Sequence, residues 1–214
     1  MFFQYVRDRY GVAVLVDVLK SRKAGIAAVS EALAQNGFKE DFFGVFTDWS
    51  ITVFLNDCLY GERYCFSDEN LQKVRIPPFT NFLSPFGESE LTVTNSIKNW
   101  AGNWHKISGG KGILDVKFDG NPNVHFGVPY LVQKKSGEYG IDFFRLGVDQ
   151  TGQIQVKDFG SENVAVVIVP SIQDQTSGFG SLDPAYLFSW TVSTASGSNG
   201  EVNPPTLPTA GGGS

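Results

Sequence analysis

The sequence predicts an α+β protein. A small N-terminal helical subdomain spans residues 1–60, a connector 61–90, an antiparallel, jelly-roll-like β-sandwich 91–195 and a Gly/Pro/Ser/Thr-rich tail 196–214. Three observations carry this division. Apolar residues in the first part recur at helical spacing and are punctuated by glycine. Beyond residue 90 they alternate in short runs separated by turn residues. After Ala195 the segment SGSNGEVNPPTLPTAGGGS has no apolar periodicity and reads as a disordered end or a linker.

The first helix spaces Phe2, Phe3, Val6 and Tyr10 ahead of a stop at Gly11. The second, Val12 to Lys23, places Leu15, Val18 and Leu19 on one face and ends in a basic turn before Gly25. The third spaces Ile26, Val29 and Leu33 and stops at Asn36-Gly37; the fourth, Glu40 to Asn56, spaces Phe42, Phe46, Trp49 and Val53. Helices this short need neighbours to be stable. Met1, Phe2, Phe3, Tyr5 and Val6 stand together with no cap ahead of them, so an upstream partner region and a fragmentary chain are expected, with an exposed apolar patch around Phe2, Phe3 and Val6.

In the connector, LQKVRI reads as one strand before Pro77-Pro78 and a loop rich in Phe, Pro, Ser and Gly. The sandwich is expected from ELTVTNS, NWHKIS, GILDVKF, HFGVPYLVQK, GIDFFRLGV, GQIQVKDF, VAVVIVPSI and YLFSWTVST, with hairpin turns at Asp119-Gly120 and Thr151-Gly152. In ILDVKF, Leu114, Val116 and Phe118 alternate with Ile113, Asp115 and Lys117, so the first set faces a core. VAVVIV is apolar throughout, as a central strand covered on both faces must be.

Composition excludes several function classes. A net charge of −5 with 18% charged residues lacks the basic footprint that a nucleic-acid backbone demands. The longest apolar runs fall far short of the roughly 20 residues that cross a bilayer as a helix. Few Lys and Arg, eighteen Phe and only two Cys form a profile expected of an extracellular or cell-surface protein.

Cys58 and Cys65 lie close enough in DCLYGERYC to be a candidate disulfide, with two unlinked buried thiols as the alternative. Neither His105 nor His125 is near them in sequence, which argues against a zinc site built on the pair. The chain has no HExxH and no GxSxG, so no catalytic residue and no metal ligand is expected in it. SGGKG at 108–112 lacks the Ser or Thr and the helix that a phosphate-binding loop requires and reads as a turn. FDGNPN and VDQTG also read as turns, with calcium binding a lesser alternative because neither has a complete ligand spacing. Trp100, Trp104 and Tyr130 are candidates for a surface aromatic platform for a sugar or peptide, but large aromatics in sheets more often fill the core or cover its edge, and that is the favoured reading.

FFQYVRDRYG, VLKSRKAGIAAVSEALAQNGF and FFGVFTDWSITVFLND together resemble the segment that follows the zinc site in secreted gluzincin-type metallopeptidases, of the hyicolysin and immune inhibitor A groups. More distantly they resemble the matching part of thermolysin and the zinc aminopeptidases. The matching positions are Phe2, Tyr5, Gly11, Gly25, Leu33, Gly37, Asp48 and Trp49. The β half is similar too, in Val116, Phe118 and Gly120, in VVIVP and in FSW. The resemblance implies that the zinc ligands and general base precede Met1, that zinc belongs to that missing N-terminal catalytic region, and that this chain is non-catalytic. It would supply a helical wall of the cleft and an accessory sandwich. The alternative is an extracellular module that binds carbohydrate or protein and has no enzymatic activity.

Overall fold

The computed structural model describes residues 1–174 and 184–195; the tail expected over 196–214 lies outside them. The chain is α+β, and four helices come first: α1 (Phe2–Tyr10), α2 (Val12–Lys20), α3 (Ile26–Gln35) and α4 (Phe42–Leu55). Gly11 separates α1 from α2 at φ 87, a backbone region that L side chains resist, so one residue both ends a helix and turns the chain. At α4 the Asp41 carboxylate accepts from the Gly44 N–H at 3.1 Å, and Asn56 closes the C-terminus in the αL conformation.

Tyr5, Val6 and Tyr10 of α1 share a core with Val14 of α2, Val29, Ala32 and Leu33 of α3, and Val45 and Val53 of α4. This corrects the expected patch on α1. Val6 is fully buried, and the half-buried Phe2 ring packs against Phe42 and Trp49; Phe3 remains exposed. The face expected on α2 is rotated as well. Leu15 and Val18 pack on the core, while Leu19 is 86% exposed beside Val12 and Val16.

LQKVRI is not a strand, because its polar backbone is already used by the end of α4. The Asn56 amide donates to the carbonyls of Leu71 and Val74 at 2.7 and 2.8 Å, and its oxygen accepts from the Phe66 N–H. The Arg75 guanidinium donates to the carbonyls of Leu55 and Asn56, and the Ile76 N–H donates to Val53. The segment expected to be a connector is therefore held down, and it carries a strand of its own, β1 (Phe79–Leu83).

The remaining strands are β2 (Ser89–Ile97), β3 (His105–Gly109), β4 (Gly112–Gly120), β5 (Phe126–Gly127), β6 (Pro129–Lys134), β7 (Tyr139–Phe143), β8 (Thr151–Phe159), β9 (Asn163–Ile168), β10 (Ser171–Ile172) and β11 (Tyr186–Ala195). With β1, nine of the eleven strands among the described residues form one sheet of order β1-β3-β9-β8-β4-β11-β2, with β6 on β9 and β7 on β6; β5 and β10 pair separately. The link between β8 and β9 is a single pair, Phe159 with Asn163. There the sheet doubles over into two layers, β7-β6-β9-β3-β1 and β8-β4-β11-β2. Pairing is antiparallel, as expected of the sandwich, except at that link and between β1 and β3, where it is parallel.

Asp119-Gly120 and Thr151-Gly152 are not turns. They face one another across the β4–β8 ladder, Asp119 opposite Thr151 and Phe118 opposite Gly152, and β5 to β7 intervene as an excursion from that ladder. SGGKG does turn the chain, from β3 into β4, where a Cβ on Gly109 would run into the Leu83 carbonyl.

The alternation in ILDVKF holds: Leu114, Val116 and Phe118 point between the layers, with Phe188, Trp190 and Val192 of β11 beside them. The apolar run ending at Val169 divides by face. Val166 and Ile168 enter the sandwich core, and Val167 and Val169 pack outward with Ile51 and Leu55 of α4.

His105 lies in this core, 2% exposed, between Phe79, Phe188 and Trp190, with Nε2 unpartnered. Burial pushes its pKa down to about 4 from 6.5. The unfolded chain therefore takes up the proton first, and stability held in full above pH 6.5 is lost as pH falls towards 4. Denaturation at pH 7 and pH 4 is expected to show His105→Phe losing on the order of 2 kcal/mol less than the parent across that interval.

Candidate functional site

Three features could serve a function: a buried titratable cluster, an aromatic seam and an uncovered helix face. The cluster forms where α4 passes under α1. Asp48 is the single charge in FFGVFTDWSITVFL, and its side chain is only 14% exposed. Arg63 Nη1 stands 3.9 Å away, and Arg9 reaches Glu62 at 3.7 Å. Tyr5 and Thr52 both donate their hydroxyls to the Arg63 carbonyl, at 2.9 and 2.8 Å.

Burial pushes the Asp48 carboxyl up to about 6, against the pull of Arg63 and Arg9. Burial also raises Tyr10 to about 12 and moves Tyr5 in the same direction. Such a carboxyl can hold a proton near neutrality, and the Tyr5 and Thr52 hydroxyls in its cluster are engaged with the Arg63 carbonyl. A shallow groove of about 740 Å³ along α3, lined by Lys23, Ile26, Glu31, Ala34 and Phe43, is separate from it. The groove's charged pair, Lys23 with Glu31, is already joined at 3.0 Å.

The aromatic seam contains two of the three platform candidates, Trp100 and Trp104. Trp100 packs on Phe42, Phe43 and Phe46 of α4, with ring centroids 4.7, 5.2 and 5.3 Å apart. Its backbone sits at φ 54, a conformation that costs a non-glycine residue of order 1–3 kcal/mol and persists because its surroundings hold it. Trp104 donates its indole N–H to the Ser50 carbonyl at 2.9 Å. Both rings are taken by a helix whose own apolar surface needs covering. Tyr130 lies apart, stacked edgewise on Phe144 with its hydroxyl 3.2 Å from Asp142. The seam continues through Gln173 Nε2 to Thr47 Oγ1 at 2.7 Å and the Tyr139 N–H to the Tyr60 hydroxyl at 3.0 Å.

Cys58 and Cys65 are joined by a disulfide. Among the described residues, no group of three or more His, Cys, Asp or Glu side chains is arranged to hold a metal ion. His105 is enclosed by aromatic rings, His125 Nδ1 meets the Asp174 carboxylate at 2.8 Å, and Asp149 turns both oxygens to Thr151. These donors do not fit a zinc site. No helix among the described residues is long and apolar enough to cross a membrane.

The Asp48, Arg63 and Tyr5 cluster joins residues far apart in the chain, and nothing in their spacing marks them as neighbours. A lone carboxylate in an otherwise apolar helix was the available signal.

No protein-family model and no curated protein matches the sequence. Among solved structures, the chain is similar to the pre-peptidase C-terminal domain of a collagenase from Bacillus anthracis, with a TM-score of 0.36 and 9% identity over 55% of this chain and 98% of that one. It is similar also to PliG, a periplasmic inhibitor of g-type lysozyme from Aeromonas hydrophila, with a TM-score of 0.33 and 14% identity over 55% and 98%. A third is the Yersinia pseudotuberculosis-derived mitogen, with a TM-score of 0.33 and 11% identity over 53% and 91%.

In the unfolded chain Asp48 ionises near 3.8, well below its folded value. Between these values the folded state keeps the proton, so stability is gained as pH falls through 6 and the cost of the buried charge is complete above it. Asp48→Asn is expected to be more stable than the parent at pH 8, by on the order of 2 kcal/mol, and nearly equal to it at pH 4. Urea denaturation at the two pH values measures this.

Proposed function

We propose that this chain is the non-catalytic C-terminal portion of a secreted zinc metallopeptidase, whose helices back the catalytic cleft and whose sandwich is an accessory domain. The observation that carries the reading is the outward face of α2. In VAVLVDVLK only Asp17 and Lys20 are polar, and a helix so apolar is ordinarily covered on all sides. Val12 is 59%, Val16 38% and Leu19 86% exposed, and their spacing places them on one stripe. An apolar surface of a catalytic region, lying upstream in the same polypeptide, is the partner this stripe fits. The resemblance of the helical segments to gluzincin-type peptidases names that region and assigns it the zinc. An extracellular or cell-surface location follows from the same reading.

A second reading, an extracellular module for carbohydrate or protein, is favoured by the outer face of β8-β4-β11-β2. Cross-strand rows of polar side chains lie open there, among them Thr94, Ser189, Asp119 and Thr151, and Thr92, Thr191, Lys117 and Gln153. The Thr92 and Thr191 hydroxyls are 2.8 Å apart.

Metal analysis and peptide-hydrolysis assays separate the two. The chain alone is expected to hold no stoichiometric zinc and cleave no peptide. Extended in frame through its upstream coding region, it is expected to hold about one zinc per chain and to cleave. In that longer protein Val16→Asp with Leu19→Asp is expected to lower the melting temperature by several degrees. Tight zinc binding by the chain alone would falsify the peptidase reading, and glycan or protein binding by an inactive longer chain would favour the second.

A further inference from the structure

The disulfide closes a loop that ties together three elements. The carbonyl of Arg63 accepts from Tyr5 of α1 at 2.9 Å and from Thr52 of α4 at 2.8 Å. The side chain of Arg63 faces Asp48, and Glu62 faces Arg9. On the other side of the loop, the Tyr60 hydroxyl accepts the Tyr139 N–H of β7 at 3.0 Å, and the two rings meet edgewise at 6.2 Å.

The loop itself has little internal structure. Two single 3₁₀ turns, Cys58–Tyr60 and Glu62–Tyr64, flank Gly61. Besides the disulfide, the Asp57 N–H to Tyr64 carbonyl bond closes it. Of its residues only Cys65 is buried; Tyr60 and Tyr64 lie half-buried against Ile51, Leu55, Leu131, Val167 and Val169 where the helices meet the sheet, while the helical core and the sandwich core contain no loop side chain. The two sulfurs are unequally placed: Cys58 is exposed, and Cys65 is 6% exposed.

We propose that Cys58–Cys65 is a redox latch, and that a dithiol reductant opening it frees the loop's hold on α1 and β7 while both cores stay folded. A reductant thiolate attacks the exposed Cys58 sulfur. The S–S bond breaks, and Cys65 leaves as a thiolate and takes up a proton. The reductant's second thiolate then attacks its own sulfur in the mixed disulfide, and Cys58 leaves in the same way. Two electrons reduce the protein disulfide to two thiols, and the dithiol becomes a disulfide. With the loop opened, the Arg63 carbonyl and the Tyr60 hydroxyl lose the frame that aims them at their partners.

The test treats the folded chain with dithiothreitol at neutral pH and follows hydrogen exchange and limited trypsin digestion. The expected result is that cleavage after Arg63 and exchange at the Tyr139 amide and along α1 each speed up by about tenfold or more, while β4 and β11 keep their protection. Cys58→Ser with Cys65→Ser is expected to match the reduced chain and to be indifferent to the reductant. Unchanged cleavage and exchange would overturn the proposal, since the loop would then hold without its bond. Loss of protection throughout the sheet would overturn it too, making the disulfide a staple of the whole fold.

Discussion

Trp104 holds the two halves of this protein together. Its indole N–H donates to the Ser50 carbonyl on α4, while its own carbonyl accepts the Phe79 N–H at the start of β1. The need for this joint originates in α4. A fourteen-residue helix with so few polar side chains has to be covered on every side. Val45 and Val53 pack into the helical core, and Ile51 and Leu55 pack with Leu131, Val167 and Val169 on the outer surface of the sheet. The demand is reciprocal, because the layer containing β9 has apolar residues on both faces and would expose one of them without α4. Neither half has a finished surface alone.

A helix covered on all sides leaves its polar residues with few options. Ser50 donates to the Thr47 carbonyl at 2.7 Å, and Thr52 divides its hydroxyl between the carbonyls of Asp48 and Arg63. Each hydroxyl is satisfied, which keeps the cost of burying it small. Asp48 is not offset in the same way. An arginine 3.9 Å away returns less than the carboxylate loses by leaving water, so its pKa rises despite the favourable neighbour. This poorly compensated charge thus faces Arg63 of the disulfide loop, with Arg9 of α1 and Glu40 also acting on it.

Where the apolar period was strong, the sequence was legible. The helices fall close to their expected bounds where Gly11, Asn36 and Asn56 end α1, α3 and α4, whereas α2 stops at Ser21 ahead of its expected end, and the run at VAVVIV is covered on both faces because nothing polar interrupts it. LQKVRI has an acceptable strand pattern, but Asn56 and Arg75 claim its surroundings, and competition of that kind is not written in local spacing. Asp119-Gly120 and Thr151-Gly152 have turn chemistry, yet the β4–β8 ladder absorbs both pairs because long-range pairing outweighs a local preference. Val6 and Leu19 exchanged expected roles for a related reason. Both helices are apolar on more than one side, so spacing alone does not decide which side is turned inward. The candidate site was the least legible part, since Tyr5, Asp48 and Arg63 meet only after α1, α4 and the disulfide loop have packed.

The seam also bears on function. Trp100 and Trp104 embed in α4, Gln173 bonds to Thr47 and Tyr139 bonds to Tyr60, so the sandwich is fixed to the helices rather than tethered to them. A recognition module on a free linker can search for its ligand independently of its neighbour; a module seated on the same helix that completes the bundle cannot. If the α2 stripe docks on a catalytic region, the open polar face of β8-β4-β11-β2 is carried at one set orientation relative to that region. The two functional readings are then linked: a ligand held on that face would be presented to the cleft in a constant geometry, and α4 would be the element that transmits it.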